Sequence, residues 1–192
     1  MKEKVTAVVL AAGKGSRMHS DIQKQYMTLL ERPVITYALE AFEDSSVDEV
    51  ILVVAPGKVE YAQKNILDKY SYKKVKKIVT GGAERYHSVY EALCVIPEEN
   101  YVLIHDGARA FITPELIEFC IEQVKKDKSC VMGMPVKDTI KIVDDNCYAV
   151  STPPRSSMWQ IQTPQCFIQK EIKKAYRQMM EAKDDSVKDD GM

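Results

Sequence analysis

The chain has 192 residues, 27 Lys+Arg against 28 Asp+Glu, a formal net charge of −1 and 45% hydrophobic residues. That length suggests one domain, or one with a small appendage, and the charge balance lacks the basic excess of a nucleic-acid surface. No run approaches the roughly 20 apolar residues of a membrane span, Met1-Lys2-Glu3-Lys4 does not read as a signal peptide, and the scattered Cys94, Cys120, Cys130, Cys147 and Cys166 form no Cys-x-x-Cys pair, which points to reduced thiols in a cytoplasmic protein.

The first predicted element is a buried strand over the apolar run Ala7-Val8-Val9-Leu10. It breaks into Ala11-Ala12-Gly13-Lys14-Gly15-Ser16-Arg17-Met18, and Lys24 follows in Gln23-Lys24-Gln25-Tyr26. Strand, glycine turn and clustered cations make a cradle for polyphosphate. The glycines let backbone N–H groups approach the phosphates, and the cations offset their charge. Two common phosphate loops fail on particular residues. A Walker loop needs Gly-x-x-x-x-Gly-Lys-Ser/Thr, and Gly13-Lys14-Gly15-Ser16 lacks the first glycine. A dinucleotide fingerprint needs a third glycine where Met18 stands, and an acid after the second strand, where Ala55-Pro56-Gly57 stands. The remaining pattern resembles the loop of nucleotidyltransferases that move a nucleoside monophosphate from an NTP onto a phosphorylated small molecule. Taken alone, the stretch is equally an ordinary strand-to-helix turn with solvated cations.

Pro33 opens a helix to Phe42, with Val34, Ala38 and Ala41 flanked by Ile35, Leu39 and Phe42 on one buried face. A second strand runs from Val50 to Val54, and a helix from Tyr61 to Tyr70 turns Ile66 and Leu67 inward. A third strand, Val75 to Thr80, ends in Gly81-Gly82; Glu84 to Leu93 is helical. A fourth strand, Tyr101 to Ile104, carries His105-Asp106-Gly107-Ala108-Arg109 at its C-terminal end. Thr113 caps and Pro114 opens a helix to about Lys126, and Cys130 to Val136 forms a fifth strand. This alternation predicts an α/β fold, Rossmann-like, with a mostly parallel twisted sheet and helices on both faces. Ligands of such sheets bind at the C-terminal strand ends. The stretches Gly13 to Arg17, Gly81 to Ser88 and Asp106 to Arg109 are therefore expected to converge on one crevice.

The pattern then changes. Asp138 to Val143 and Cys147 to Thr152 read as a protruding β-arm hairpin around Asp144-Asp145-Asn146. Its own core is too small for independent stability, so a second chain is expected to cover it. Met158 to Phe167 returns to the body, and Gln169 to Glu181 is a lysine-rich helix. The predicted organisation is an α/β nucleotide-binding core over 1–136, the arm over 137–154, and a return to the core over 155–192.

Asp106 is placed to bind a divalent cation or a ribose, and Arg109 to pair with an anion there. A turn aspartate and a weak surface ion pair are the plainer accounts. Gly81-Gly82 suggests close approach of backbone to a flat ligand, with Ser88 one turn into the next helix; a plain turn and a helical surface serine explain them equally. Thr139 and Arg155 lie on or beside the arm, where they could serve a neighbouring subunit or be exposed edge residues. Thr163 sits in a polar break, Gln162-Thr163-Pro164-Gln165. The histidines His19, His87 and His105 form no ligand cluster by spacing.

Taken in order, these stretches resemble one family closely, the 2-C-methyl-D-erythritol 4-phosphate cytidylyltransferases of the non-mevalonate isoprenoid pathway. The matching segments are Val9 to Met18, Lys24-Gln25-Tyr26, Gly81-Gly82-x-Glu84-Arg85-x-x-Ser88-Val89, Ile104 to Arg109, Pro135 to Lys141, and Gln162-Thr163-Pro164-Gln165-x-Phe167. The resemblance implies a homodimer joined through the β-arm, no nucleic acid or membrane partner, and CTP in the strand-end crevice. Ala11, Ala12, Gly13, Gly15, Gly82 and Ser88 would hold the nucleotide. Arg17 and Lys24 would grip the triphosphate as the catalytic cations, with Lys14 beside them. Asp106 would hold ribose or Mg²⁺, and Arg109 would orient the sugar-alcohol phosphate with it. Thr139, Arg155 and Thr163 would be second-subunit contacts to that substrate. Three departures stand out: Ala110 replaces a usual proline, Ala83 replaces a frequent aspartate, and Val187-Lys188-Asp189-Asp190-Gly191 matches a Thr-Asp-Asp/Glu segment only in part. The family pattern continues past Met192 through a strand, an Asn-Ile-Lys segment and a helix, so the chain reads as truncated at its C-terminus. The competing assignments are a ribitol-5-phosphate cytidylyltransferase, disfavoured by Ala11-Ala12-Gly13 and Asp106-Gly107-Ala108-Arg109, and a CTP-binding remnant without catalysis.

Overall fold

Strand β1 (Val5–Ala11) is buried on both faces and sits in the middle of the sheet. A computed structural model describes residues 3–13, 15, 20, 22–182 and 190–191. In chain order, β1 is followed by a minimal hairpin, β2 (Thr28–Leu29) and β3 (Arg32–Pro33), helix α1 (Val34–Glu43) and β4 (Glu49–Val54). Helix α2 (Val59–Ala62) passes through a π-helical turn (Gln63–Leu67) into α3 (Asp68–Tyr70). Then come β5 (Val75–Thr80), α4 (Arg85–Cys94), β6 (Tyr101–Asp106), α5 (Pro114–Asp127) and β7 (Ser129–Pro135). The arm strands are β8 (Ile142–Val143) and β9 (Ala149–Ser151), and β10 (Trp159–Ile168) and α6 (Gln169–Ala182) follow.

The six-stranded sheet has the order β5-β4-β1-β6-β10-β7. Pairings among β5, β4, β1 and β6 are parallel, with Val8 opposite Ile51 on one side and Ile104 on the other. Alternation of side chains along β1 sends Val5, Ala7, Val9 and Ala11 to one face and Val8 to the other. The first face is covered by α1, the α2–α3 helix and α5, through Ile35, Leu39, Phe42, Ile66, Ile117 and Val124. The second is covered by α4 and α6, through Val89, Leu93, Ile172 and Tyr176. Both faces being covered explains why β1, β4 and β6 read as nearly continuous apolar runs, while the edge strand β5 carries exposed Lys76 and Lys77.

Two departures from the expected pattern matter for the site. First, β10 enters antiparallel between β6 and β7, pairing Gln165 with Ile104 and with Val131. Its register breaks between Ile161 and Gln165, where Gln162, Thr163 and Pro164 oppose the single residue Met132. Such a bulge re-aims side chains, and here it turns them toward the C-terminal end of β6. Second, the arm ladder is shorter than the sequence suggests. Only Ile142–Val143 pairs with Ala149–Ser151, because the hairpin stands outside the sheet with nothing to bury its faces. Its turn is held by the Asp144 side chain, which accepts from the N–H groups of Asn146 and Tyr148 at 3.0 and 2.9 Å.

Helix α6 is tied to α4 by one fully buried side chain. Gln169 Nε2 donates to the carbonyls of Leu93 and Ile96 at 2.6 and 3.0 Å, satisfying acceptors at the end of α4. Gln169→Leu leaves both without a partner and should lower unfolding free energy by about 2 kcal/mol, read from urea denaturation with an unchanged m-value.

Candidate active site

The loop after β1 is shaped from behind by a residue whose role the sequence did not disclose. Gln25 Nε2 donates to the carbonyls of Ala11 and Gly13 at 2.6 and 3.0 Å, and Gln25 itself is buried. The only hint of this in the sequence is its position beside Lys24. Gln25 lies in a 3-10 turn, Lys24–Tyr26, which leaves Lys24 exposed. Gly15 has φ of 64°, and a Cβ there would lie 3.2 Å from the Lys24 backbone nitrogen. The loop and the lysine turn are thus packed backbone to backbone, at a left-handed dihedral that glycine adopts without strain and where a Cβ would be tight. Lys14 and Arg17 lie outside the described residues.

The second glycine stretch packs onto this loop. A Cβ on Gly81 would meet Ser88 Oγ at 2.5 Å and Ala12 Cβ at 2.7 Å. Gly81 therefore lets the ends of β1 and β5 and the first turn of α4 come together. Ser88 is buried; its hydroxyl accepts from Gly82 N–H and donates to the Glu84 carbonyl, both at 3.2 Å. In this geometry Ser88 holds the Gly81-Gly82 turn in shape. Gly82 itself is exposed beside it.

The end of β6 completes the crevice. Gly107 N–H donates to the Leu10 carbonyl at 2.8 Å, which fixes the β6 end against β1. Asp106 lies between two guanidinium groups: Arg85 Nε is 3.3 Å from Oδ1 and Arg109 Nε is 3.0 Å from Oδ2. Burial alone would raise the Asp106 carboxyl, but Arg85 and Arg109 outweigh it and hold the group below the usual range. Arg109 also donates through Nη1 to Gln162 Oε1. The sequence reading gave Arg85 no individual role, because a residue opening a helix carries no mark of the carboxylate it will reach.

Thr163 is held from within its own chain. The bulge in β10 buries it beside the end of β6, where Oγ1 accepts from Asp106 N–H at 3.3 Å. The same hydroxyl lies 3.0 Å from His105 Nδ1, and His105 Nε2 lies 3.2 Å from the Arg109 carbonyl. A carbonyl can only accept, so Nε2 carries the proton and Nδ1 accepts from Thr163. Burial pushes the His105 imidazole down from its ordinary value of 6.5 to about 4. His105 is a neutral strut fixing Thr163 and the Arg109 backbone. Thr139 and Arg155 stay exposed near the arm; Arg155 Nη1 donates to the Lys137 carbonyl at 3.0 Å. The structure thus brings together Ala11, Ala12, Gly13, Gly15, Lys24, Gly82, Ser88, Asp106, Arg109 and Thr163, and leaves Thr139 and Arg155 apart.

A glycine-shaped loop beside a carboxylate braced by two arginines, all at parallel strand ends, suits a polyanionic nucleotide. The model of the 2-C-methyl-D-erythritol 4-phosphate cytidylyltransferase family matches residues 5–191. The chain belongs to that family. The enzyme of that name from Lachnospira eligens is 50% identical over 189 residues, which are 97% of this chain and 83% of the relative. The one from Lachnoclostridium phytofermentans is 43% identical over 190 residues, 99% of this chain and 82% of the relative. A crystal structure of 4-diphosphocytidyl-2C-methyl-D-erythritol synthase from Anaerococcus prevotii superposes with a TM-score of 0.84 at 32% identity. The superposition covers 98% of this chain and 80% of that one. As a cytidylyltransferase-family chain, this one has the mixed α/β architecture of its relatives.

Two outcomes follow from the site. Between pH 6.5 and about 4 the unfolded chain binds a proton at His105 that the folded chain refuses. Stability therefore falls as pH drops through that window, by about 3 kcal/mol at full extent. Urea unfolding at pH 7 and pH 4.5 should show the loss, and His105→Gln should flatten it. Gly81→Ala should displace Ala12 or Ser88 and weaken CTP binding at least tenfold by calorimetry, with the sheet still folded by circular dichroism.

Proposed function

We propose that the chain transfers CMP from CTP to 2-C-methyl-D-erythritol 4-phosphate, giving 4-diphosphocytidyl-2-C-methyl-D-erythritol and pyrophosphate. The observation that carries the reading is Asp106, held by Arg85 and Arg109 where the glycine stretches after β1 and β5 meet, in a chain of this family. A phosphate monoester is already an anionic nucleophile, so no strong general base is needed. The burden is charge: two anions must meet while negative charge builds on a five-coordinate phosphorus, and positioned cations lower that barrier. Lys24 stands exposed beside the β1 loop for the triphosphate, with Lys14 and Arg17 assigned to the same task. Ala11, Ala12, Gly13, Gly15 and Gly82 offer backbone to base and ribose. Arg109 orients the incoming phosphate, and Asp106 holds the ribose or a cation.

The residues fit a divalent ion carried by the nucleotide better than a resident one. Among the described residues no group of three His, Cys, Asp or Glu side chains could hold a metal. Mg²⁺ is commonly bound through one or two carboxylates together with substrate phosphates. Asp106 is the carboxylate that would hold it here. The ion would neutralise charge on the triphosphate.

We also read the arm as a dimer surface that brings Thr139 and Arg155 to a neighbour's crevice. Ile142, Val143, Tyr148 and Val150 are all more than half exposed on a hairpin too small to stand alone, and this supports the reading. The cytoplasm is the proposed compartment. Cys130 and Cys166 are direct cross-strand partners yet remain thiols, in keeping with a reducing environment. Among the described residues no helix is long and apolar enough to cross a membrane.

Purified protein with CTP and Mg²⁺ should release pyrophosphate with methylerythritol phosphate and much less with ribitol phosphate. Release only with ribitol phosphate would move the specificity to that substrate, and CTP binding without release would remove catalysis. Lys24→Ala should cut kcat/KM by at least a hundredfold with a melting temperature within a few degrees of the parent. Near-full turnover in that variant would remove Lys24 from the catalytic set.

A further inference from the structure

The arginines around Asp106 belong to a closed ring of hydrogen bonds. Arg109 Nη1 donates to Gln162 Oε1, and Gln165 Nε2 donates to the Gln162 carbonyl at 3.3 Å. Gln165 Oε1 accepts from Asp190 N–H at 2.8 Å. Asp190 Oδ1 takes Arg85 Nη1 at 2.8 Å and the Tyr176 hydroxyl. Arg85 Nε returns to Asp106. The ring joins the end of β6, the bulge in the middle of β10, the first turn of α4, helix α6 and a residue 105 positions from Arg85.

Asp190 is the unusual member. Its side chain is fully buried, and among the described residues Oδ2 has no hydrogen-bond partner. A buried ion pair is often no more stabilising than apolar side chains of the same size. Stability is therefore a poor account of a buried aspartate with one oxygen left over. What Asp190 does geometrically is fix one arm of the Arg85 guanidinium, so that the other arm meets Asp106. The planar fork suits this task, because Nε and Nη1 point to the two carboxylates at once, which an ammonium group cannot copy.

We propose that Arg85 and Asp190 are positioning residues of the transfer site: Asp190, braced by Tyr176 and Gln165, orients Arg85, and Arg85 sets the Asp106 carboxylate for the reacting nucleotide. This rests on the cytidylyl-transfer reading above. Neither residue needs to touch substrate. Removing the Asp190 charge loosens Arg85, and Asp106 then loses one of its two restraints while the glycine loops that bind the nucleotide stay in place. The Arg109 restraint on Asp106 and the glycine loops still hold the nucleotide, so the cost falls more on turnover than on CTP binding.

The test is steady-state kinetics on Asp190→Asn, Arg85→Lys, Tyr176→Phe and the Asp190→Asn/Arg85→Lys double variant, each with a urea unfolding curve. Asp190→Asn and Arg85→Lys should each lower kcat at least tenfold while KM for CTP changes less than threefold. Arg85→Lys keeps the charge and still loses rate, which a purely electrostatic role would not predict. The double variant should be no slower than the worse single variant, since both act through one guanidinium. Tyr176→Phe, which keeps every charge, should give a smaller loss with the same split between kcat and KM. Folded single variants with kcat within twofold of the parent, or losses that multiply in the double variant, would overturn the inference. A parent enzyme with no turnover on either sugar phosphate would sink the transfer reading itself, and this inference with it.

Discussion

Everything at the working end of this fold depends on β1 being a central strand covered on both faces. Its alternate side chains are committed to two separate cores, one under α1, α2–α3 and α5 and one under α4 and α6. Its one polar residue, Thr6, lies at the N-terminal end with its hydroxyl committed to Glu49 and Asn100, so chemistry is displaced to the C-terminal end. There the chain has to turn while three neighbouring strand ends turn beside it. Gly81 and Gly107 make that convergence possible by letting backbones approach where a Cβ would meet side-chain or carbonyl atoms at 3.0 Å or less.

The crevice then meets an electrostatic demand. Two anionic substrates cannot be brought together by dispersion or hydrogen bonding to neutral groups alone. The fold supplies fixed cations and restrains them from behind, with Arg85 and Arg109 flanking Asp106 and the neutral His105–Thr163 pair holding the backbone around it. Keeping His105 uncharged is part of this arrangement, since a protonated imidazole beneath Arg109 would repel it. Preorganisation of this kind costs nothing at the moment of reaction.

The architecture was legible because local patterns carried it. The apolar runs of β1, β4 and β6, the strand β5 and the Thr113-Pro114 helix start map onto observed elements within a residue or two. Ala12, Gly82, Asp106 and Arg109 were readable because strand ends and glycine pairs leave marks in the sequence. The contacts that were missed are long-range. Nothing local marks β10 as antiparallel, and only that placement buries Thr163 beneath Asp106. Gln25 carries no motif of its own, and Asp190 lies 105 positions from the arginine it holds. The arm was overextended in the reading because alternation alone cannot tell a paired strand from one whose faces remain bare.

The central claim is that the crevice joins two phosphates rather than hydrolysing one. Phosphorus NMR of the protein incubated with CTP, Mg²⁺ and methylerythritol phosphate tests this at the bond that forms. The account predicts a new pair of coupled diphosphate doublets growing at the same rate as pyrophosphate, while the phosphomonoester signal declines. Accumulation of CMP and pyrophosphate with the methylerythritol phosphate signal unchanged would contradict it, since that is hydrolysis and not transfer.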